Sequence, residues 1–300
     1  MTGFVASGRQ WNLAADGHEA TVVEVGGGVR EYTVAGVPQL LGYAADQVAP
    51  GSAGALLVPW PNRIRDGRYT FDGADQQLPL TEPKKHNASH GLLRWTNWRA
   101  ARTAPDSVTL EAVVPPQPGY PHRLLARTTY GVGPGGLRVA HEVTNTGASD
   151  APFGFGAHPY LYVAGSTVDD LLLHLPGTTE RVLTDERSLP VGHEPVAGTA
   201  YDFTAPRRIG AAQLDTAFTR PAGKVTLSTV DGRGMTLWMD EAFRWVQVFT
   251  ADALPEPRRR RGVAVEPMTC PPDAFNSGED LLVLAPGETW RGSWGISPLG

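Results

Sequence analysis

The chain has 300 residues, 35 of them glycine and 26 proline, one cysteine, and a formal net charge of −5. That balance excludes a broad electrostatic footprint for nucleic acid or an anionic membrane, and the lone Cys270 excludes an internal disulfide or a cysteine-based metal site. No apolar run is long enough to span a bilayer, and Met1-Thr-Gly-Phe-Val-Ala-Ser-Gly-Arg9 lacks the basic start and apolar middle of a signal peptide, so a soluble cytoplasmic protein is expected.

Glycine and proline make up about a fifth of the chain, as many short strands joined by turns require. Two strand-like runs, 19–25 and 29–34, flank Gly26-Gly-Gly28 and read as a hairpin. Residues 107–114 alternate, and 123–132 follow in the same character. In 137–143 the period of two puts Leu137, Val139, His141 and Val143 on one face, which makes His141 a core residue. Runs at 171–175, 225–230, 235–239 and 245–250 continue the series, with Asp231-Gly232 as a hairpin turn. Short helical turns are expected near 212–215 and 273–275, and no long stretch has a helical period. Pro115-Pro-Gln-Pro-Gly-Tyr-Pro121 reads as a long loop and Pro255-Glu-Pro-Arg258-Arg-Arg-Arg261 as an exposed one. The expectation is one all-β domain over residues 1–300, a large antiparallel β-sandwich with function on its loops or on a concave face.

Two segments carry titratable groups beside prolines in apolar surroundings: Phe153-Gly-Phe-Gly-Ala-His158-Pro-Tyr160-Leu161 and Val263-Ala-Val-Glu266-Pro-Met. A fold that joined them would set a general acid opposite a general base, the chemistry for moving a proton on and off a neutral substrate. Taken alone, Glu266 is equally well a strand-end carboxylate facing water, and a histidine such as His158 is more often a satisfied core residue. Tyr160 lies two residues beyond His158, on the same strand face. Arg63 follows Pro61-Asn62 in a predicted loop, His90 precedes Gly91 in a polar loop, and Asp215 suits a helix N-cap as well as a ligand. His86 and His90 are four apart in loop context, so a helical metal pair does not follow.

In this order and at these separations, Trp60-Pro61-Asn62-Arg63-Ile64, Asn87-Ala-Ser-His90-Gly91, His158-Pro-Tyr160, Leu214-Asp215-Thr-Ala-Phe218 and Val265-Glu266-Pro267 resemble the aldose 1-epimerase (galactose mutarotase) family over residues 56–296. The resemblance implies a galactose-mutarotase-like supersandwich with sugar in an open cleft. It implies Glu266 as base, His158 as acid, His90 bonding the substrate near the ring oxygen, and Arg63 and Asp215 on sugar hydroxyls. Asn62 and Tyr160 complete the expected substrate-binding set. The expected ligand is a monosaccharide such as glucose or galactose, with no metal or cofactor, no nucleic acid and no membrane; the oligomeric state is not legible. Familiar members read His-Gly-Gly where this chain has His90-Gly91-Leu92, which takes room from the sugar. A hexose-6-phosphate 1-epimerase would need converging cations. Arg65, Arg68, Lys84 and Lys85 read as solvated, leaving Arg94, four residues after His90, as the one able to reach over the cleft. A sugar-binding protein without turnover would have lost the acid or the base. A polysaccharide-active module would want a groove of aromatics drawn from Trp60, Trp95, Trp98, Trp238 and Trp245.

Overall fold

The protein is described by a computed structural model over residues 5–299, and residues 1–4 of the N-terminal reading lie outside it. Two large antiparallel sheets dominate the described residues. The nine-stranded sheet is centred on Leu124–Gly133, Gly136–Asn145, Thr289–Pro298 and Gly234–Met239. The eight-stranded sheet runs from Pro190–Pro195 through Glu180–Thr184, Asp215–Thr219, Trp245–Phe249 and Val263–Met268 to Gly156–Ala157 and Leu56–Leu57, with Tyr160–Leu161 also on Val263–Met268. A four-stranded sheet, Gln10–Ala15 to Val37–Pro38, contains the hairpin expected around Gly26-Gly-Gly28.

The sheets form because alternating side chains bury one face of each strand. Leu124, Ala126, Thr128, Tyr130 and Val132 point inward from one strand, and Leu137, Val139, His141 and Val143 from its neighbour. The His141 ring lies 4.3 Å from that of Phe155, at the edge of the other sheet, so the two sheets share one core. His141 is structural: Trp294 Nε1 donates to its Nε2 at 2.9 Å, Thr128 Oγ1 meets Nδ1 at 2.9 Å, and burial pulls its pKa down to about 3. Val225–Ser228 and Gly234–Met239 pair across the turn expected at Asp231-Gly232.

Some local expectations give way to tertiary structure. Residues 212–215 are not helical; Asp215 opens the strand Asp215–Thr219, so it caps nothing. The turn expected at 273–275 appears as the short helix Ala274–Ser277. The arginine run is only partly exposed. Arg258 donates to the carbonyls of Leu41 and Gly42, and Arg260 pairs with Asp252 and with Asp169.

Candidate active site

Strand register assembles the floor of the site. Gly156 pairs with Met268 and Tyr160 with Ala264, so His158 lies opposite Glu266 on the neighbouring chain segment. Prolines 159 and 267 lie beside them, and a proline has no N–H for a ladder bond. On the other side Gln247 pairs with Glu266, and in the next strand Asp215 pairs with Phe249, two residues further on. Paired residues and those two apart share a face. One face of the sheet therefore carries Asp215, Phe249, Gln247, Glu266, His158 and Tyr160, while Val246, Val248 and Val265 fill the core behind.

His158 Nε2 and Glu266 Oε1 are 3.2 Å apart, and both side chains are buried. Burial pushes the Glu266 carboxyl well above its usual range; the Asp215 charge adds to this and Arg63 opposes it. Burial pulls His158 down to about 3, and the charges of Arg94 and Arg63 act the same way. Burial, the largest cause for both groups, disfavours the charged form of each, so the pair holds a proton more readily on Glu266 and less readily on His158 than either group would in water. The His158 ring stacks on Tyr160 (centroids 5.0 Å) and meets His90 edge-on at 5.5 Å. Glu266 Oε2, His158 Nδ1, His90 Nδ1 and Gln247 Oε1 are buried with no hydrogen-bond partner among the described residues. Four orphan polar atoms lining one cleft are a ready set of contacts for a polyhydroxylated ligand.

That environment also makes a stability prediction. The unfolded chain ionises Glu266 near the ordinary carboxylate range, whereas the folded chain holds the proton to higher pH. The contribution is fully present below the unfolded pKa and is lost as pH rises toward the folded one. Glu266→Gln removes this dependence. Its melting temperature relative to wild type should rise between pH 5 and pH 8; a constant difference over that range would contradict a raised Glu266 pKa.

The walls of the cleft, about 510 Å³ in volume, come from loops above the floor. Arg63–Arg65 pairs with Asn87–Ser89, which brings Asn62, Arg63 and His90 to one rim. Asn62 (φ 54°) and His90 (φ 61°) are both left-handed, joined by His90 N–H to Asn62 O at 2.8 Å. Gly91 is needed next, since a Cβ there would lie 2.1 Å from the Val58 carbonyl oxygen. Glu82 accepts from Arg63 Nε at 2.8 Å and from Nη2 at 3.2 Å, with Asp215 3.8 Å away. Burial would lower the Arg63 pKa, but Glu82, Asp215 and Glu266 hold it raised. Gln247 Nε2 donates to Asp215 Oδ1 at 2.7 Å. The cleft wall also carries Gly51, Ser52, Arg94 and Trp95, and the Tyr160 hydroxyl donates to Gly51 O at 3.0 Å.

All seven residues singled out from the sequence, Asn62, Arg63, His90, His158, Tyr160, Asp215 and Glu266, line this one cleft. Arg63 lies in a strand rather than a loop, and His90 is partly buried rather than an exposed loop histidine. Leu92 packs against the core instead of narrowing the cleft. Lys85, expected in solvent, lines the cleft and donates to Ser188 Oγ at 2.7 Å. Of the tryptophans only Trp95 reaches the cleft; Trp60, Trp98 and Trp245 are buried. Glu82 and Gln247 were missed. Each is an ordinary polar residue in the sequence, and only long-range pairing gives it a role.

The aldose 1-epimerase family model matches residues 9–297. The uncharacterized protein YihR of Escherichia coli is 36% identical over 296 residues, covering 97% of this chain and 94% of that one. The galactose mutarotase of Rattus norvegicus is 29% identical over 187 residues, 59% of this chain and 52% of that one. In structure, the GalM/aldose epimerase homologue from C. elegans superposes with a TM-score of 0.87 at 20% identity, covering 97% of this chain and 99% of that one. With the family model spanning nearly the whole chain over this fold, the protein belongs to the aldose 1-epimerase family.

Proposed function

We propose that the chain, working as one unit, interconverts the α and β anomers of an unphosphorylated hexose, with Glu266 as base and His158 as acid. The supporting observation is the contact between His158 and Glu266 on the floor of a cleft whose rim is lined with sugar-suited donors and acceptors. The pair shares one proton, and its transfer to His158 gives the reactive form. Glu266 then takes the proton from the C1 hydroxyl, C1=O forms, the bond from C1 to the ring oxygen breaks, and His158 protonates that oxygen. Rotation about C1–C2 presents the other carbonyl face. The ring hydroxyl attacks C1 and returns its proton to His158, while Glu266 reprotonates the C1 oxygen. No net proton or electron is consumed. Arg63, Asp215, Asn62 and Gln247 would hold sugar hydroxyls, with His90 near the ring oxygen.

A phosphate dianion is costly to desolvate without several converging cations. Arg63 is already neutralised by Glu82 and Asp215, and the Lys85 ammonium is engaged by Ser188. The direct test is polarimetry of α-glucose and α-galactose with and without the protein. No acceleration of either would refute the assignment. Since one base and one acid suffice, the rate should be unchanged after exhaustive chelation; loss with EDTA and rescue by a divalent ion would refute the mechanism.

A further inference from the structure

We propose that Arg94 makes this cleft selective for an aldose carrying one singly charged oxyanion, carboxylate or sulfate, remote from the anomeric carbon. The proposal deepens the epimerase reading and rests on it. Arg94 is only 8% exposed, yet no carboxylate lies within 4.0 Å of it among the described residues. Its one side-chain hydrogen bond runs from Nη1 to Ser52 Oγ at 3.3 Å. Three half-buried arginines of this chain, by contrast, have protein partners. Arg63 is held by Glu82, Arg260 by Asp169 and Asp252, and Arg258 by two carbonyls. Most of the five N–H donors of Arg94 have no protein partner among the described residues and open onto the cleft, where a ligand that accepts from them gains charge-assisted hydrogen bonds.

The surroundings give the donors a direction. The Arg94 guanidinium lies 4.0 Å from the centre of the Trp95 ring, which is 56% exposed at the cleft mouth. This cation–π contact restrains the guanidinium without using its N–H donors, which suit a planar or tetrahedral oxyanion. Burial brings its pKa down only to about 10, so the group is charged at neutral pH. Ser52 adjoins Gly51, whose carbonyl receives the Tyr160 hydroxyl, and Tyr160 stacks on His158. Arg94 thus reaches the Tyr160 side of the cleft; the Glu82 charge acts on it through space but is bonded to Arg63. Arg94 bonds neither His158 nor Glu266, so its anion belongs on a part of the sugar that does not react. One guanidinium without a carboxylate partner suits one negative charge, and Lys85, the other such cation of the cleft, lies by Ser188 and the Glu82 charge. A structural prop is the competing role, but one long hydrogen bond and a stack on an exposed ring anchor little.

The test compares kcat/KM for glucuronate and glucose 6-sulfate with that for glucose, with glucose 6-phosphate as the dianion. Wild type should favour at least one singly charged substrate by about ten- to a hundredfold, and the 6-phosphate should fall below it. Which of the two is preferred identifies the oxyanion. In Arg94→Gln the anion-to-neutral ratio should collapse to within about threefold of one; Arg94→Lys, which keeps the charge and loses the fork, should retain part of it. Because the ratio is taken within each variant, general damage cancels. No preference in wild type, or an unchanged ratio in Arg94→Gln, overturns the proposal, and a dominant preference for the 6-phosphate does so as well. Calorimetric binding of glucuronate, glucose 6-sulfate and glucose to wild type gives a second reading that needs neither turnover nor a folded variant. Tighter binding of an acidic sugar supports the Arg94 site even if no aldose is epimerised, whereas glucose turnover without any acid preference overturns this proposal alone.

Discussion

Glu266→Gln and His158→Asn should each lower kcat by about a hundred- to ten-thousandfold while leaving the fold intact. The amide keeps the shape of the carboxyl but cannot take a proton from the C1 hydroxyl. Asparagine keeps a polar group at 158 but cannot deliver a proton to the ring oxygen. The two groups act as one unit across 3.2 Å, so the double variant should be little worse than the poorer single one. The pH profile follows from the proton count. A second proton enters only in strong acid, because burial holds His158 down to about 3. The proton on Glu266 is held to higher pH than an ordinary carboxyl would hold it, because burial raises its pKa well above the usual range. Wild-type kcat should therefore be flat through neutral pH and fall on the alkaline side as that proton is lost. Near-normal turnover by either variant, with circular dichroism matching wild type, would remove the residue from the chemistry. An inflection at an ordinary histidine pKa would show that His158 is not buried in the working enzyme.

Much of this site was legible because its key residues sit in short, peculiar contexts. His158-Pro-Tyr160 and Val-Glu266-Pro put charge-bearing groups in apolar runs, where burial demands a reason. Local alternation gave the strands, and Gly26-Gly-Gly28 and Asp231-Gly232 gave the hairpins. What alternation cannot give is which strands are neighbours. Gln247 in Trp245-Val-Gln-Val-Phe249 looks like the polar half of a half-buried strand. It belongs to the site because that strand lies between those of Asp215 and Glu266. Glu82 sits in a turn rich in polar residues, and only the hairpin of Arg63–Arg65 with Asn87–Ser89 brings it to Arg63. The helical reading of residues 212–215 failed for the same reason. Pairing of Asp215 with Phe249 outweighed a local preference that was weak from the start.

Arg63 tests whether that rim is functional or only well packed. Arg63→Ala should lower kcat/KM by about ten- to a hundredfold, since a hydrogen bond to a charged group contributes roughly 1.5–3 kcal/mol. Lysine should restore only part of this, because one ammonium cannot bond both oxygens of Glu82 and still face Asp215 and a sugar. Asp215→Ala should fall in the same range and, mainly through KM, report lost hydroxyl contacts. Arg63 also lowers the Glu266 pKa against the Asp215 charge. Removing it should move the alkaline limb of the kcat profile to higher pH, and removing Asp215 should move it to lower pH. A residue that merely braces the loop would change KM or stability and leave both limbs in place. Opposite displacements in the two variants are thus the signature of a charged rim acting on the proton-transfer pair, and displacements of the same sign would show that Arg63 and Asp215 do not tune Glu266 as their positions indicate.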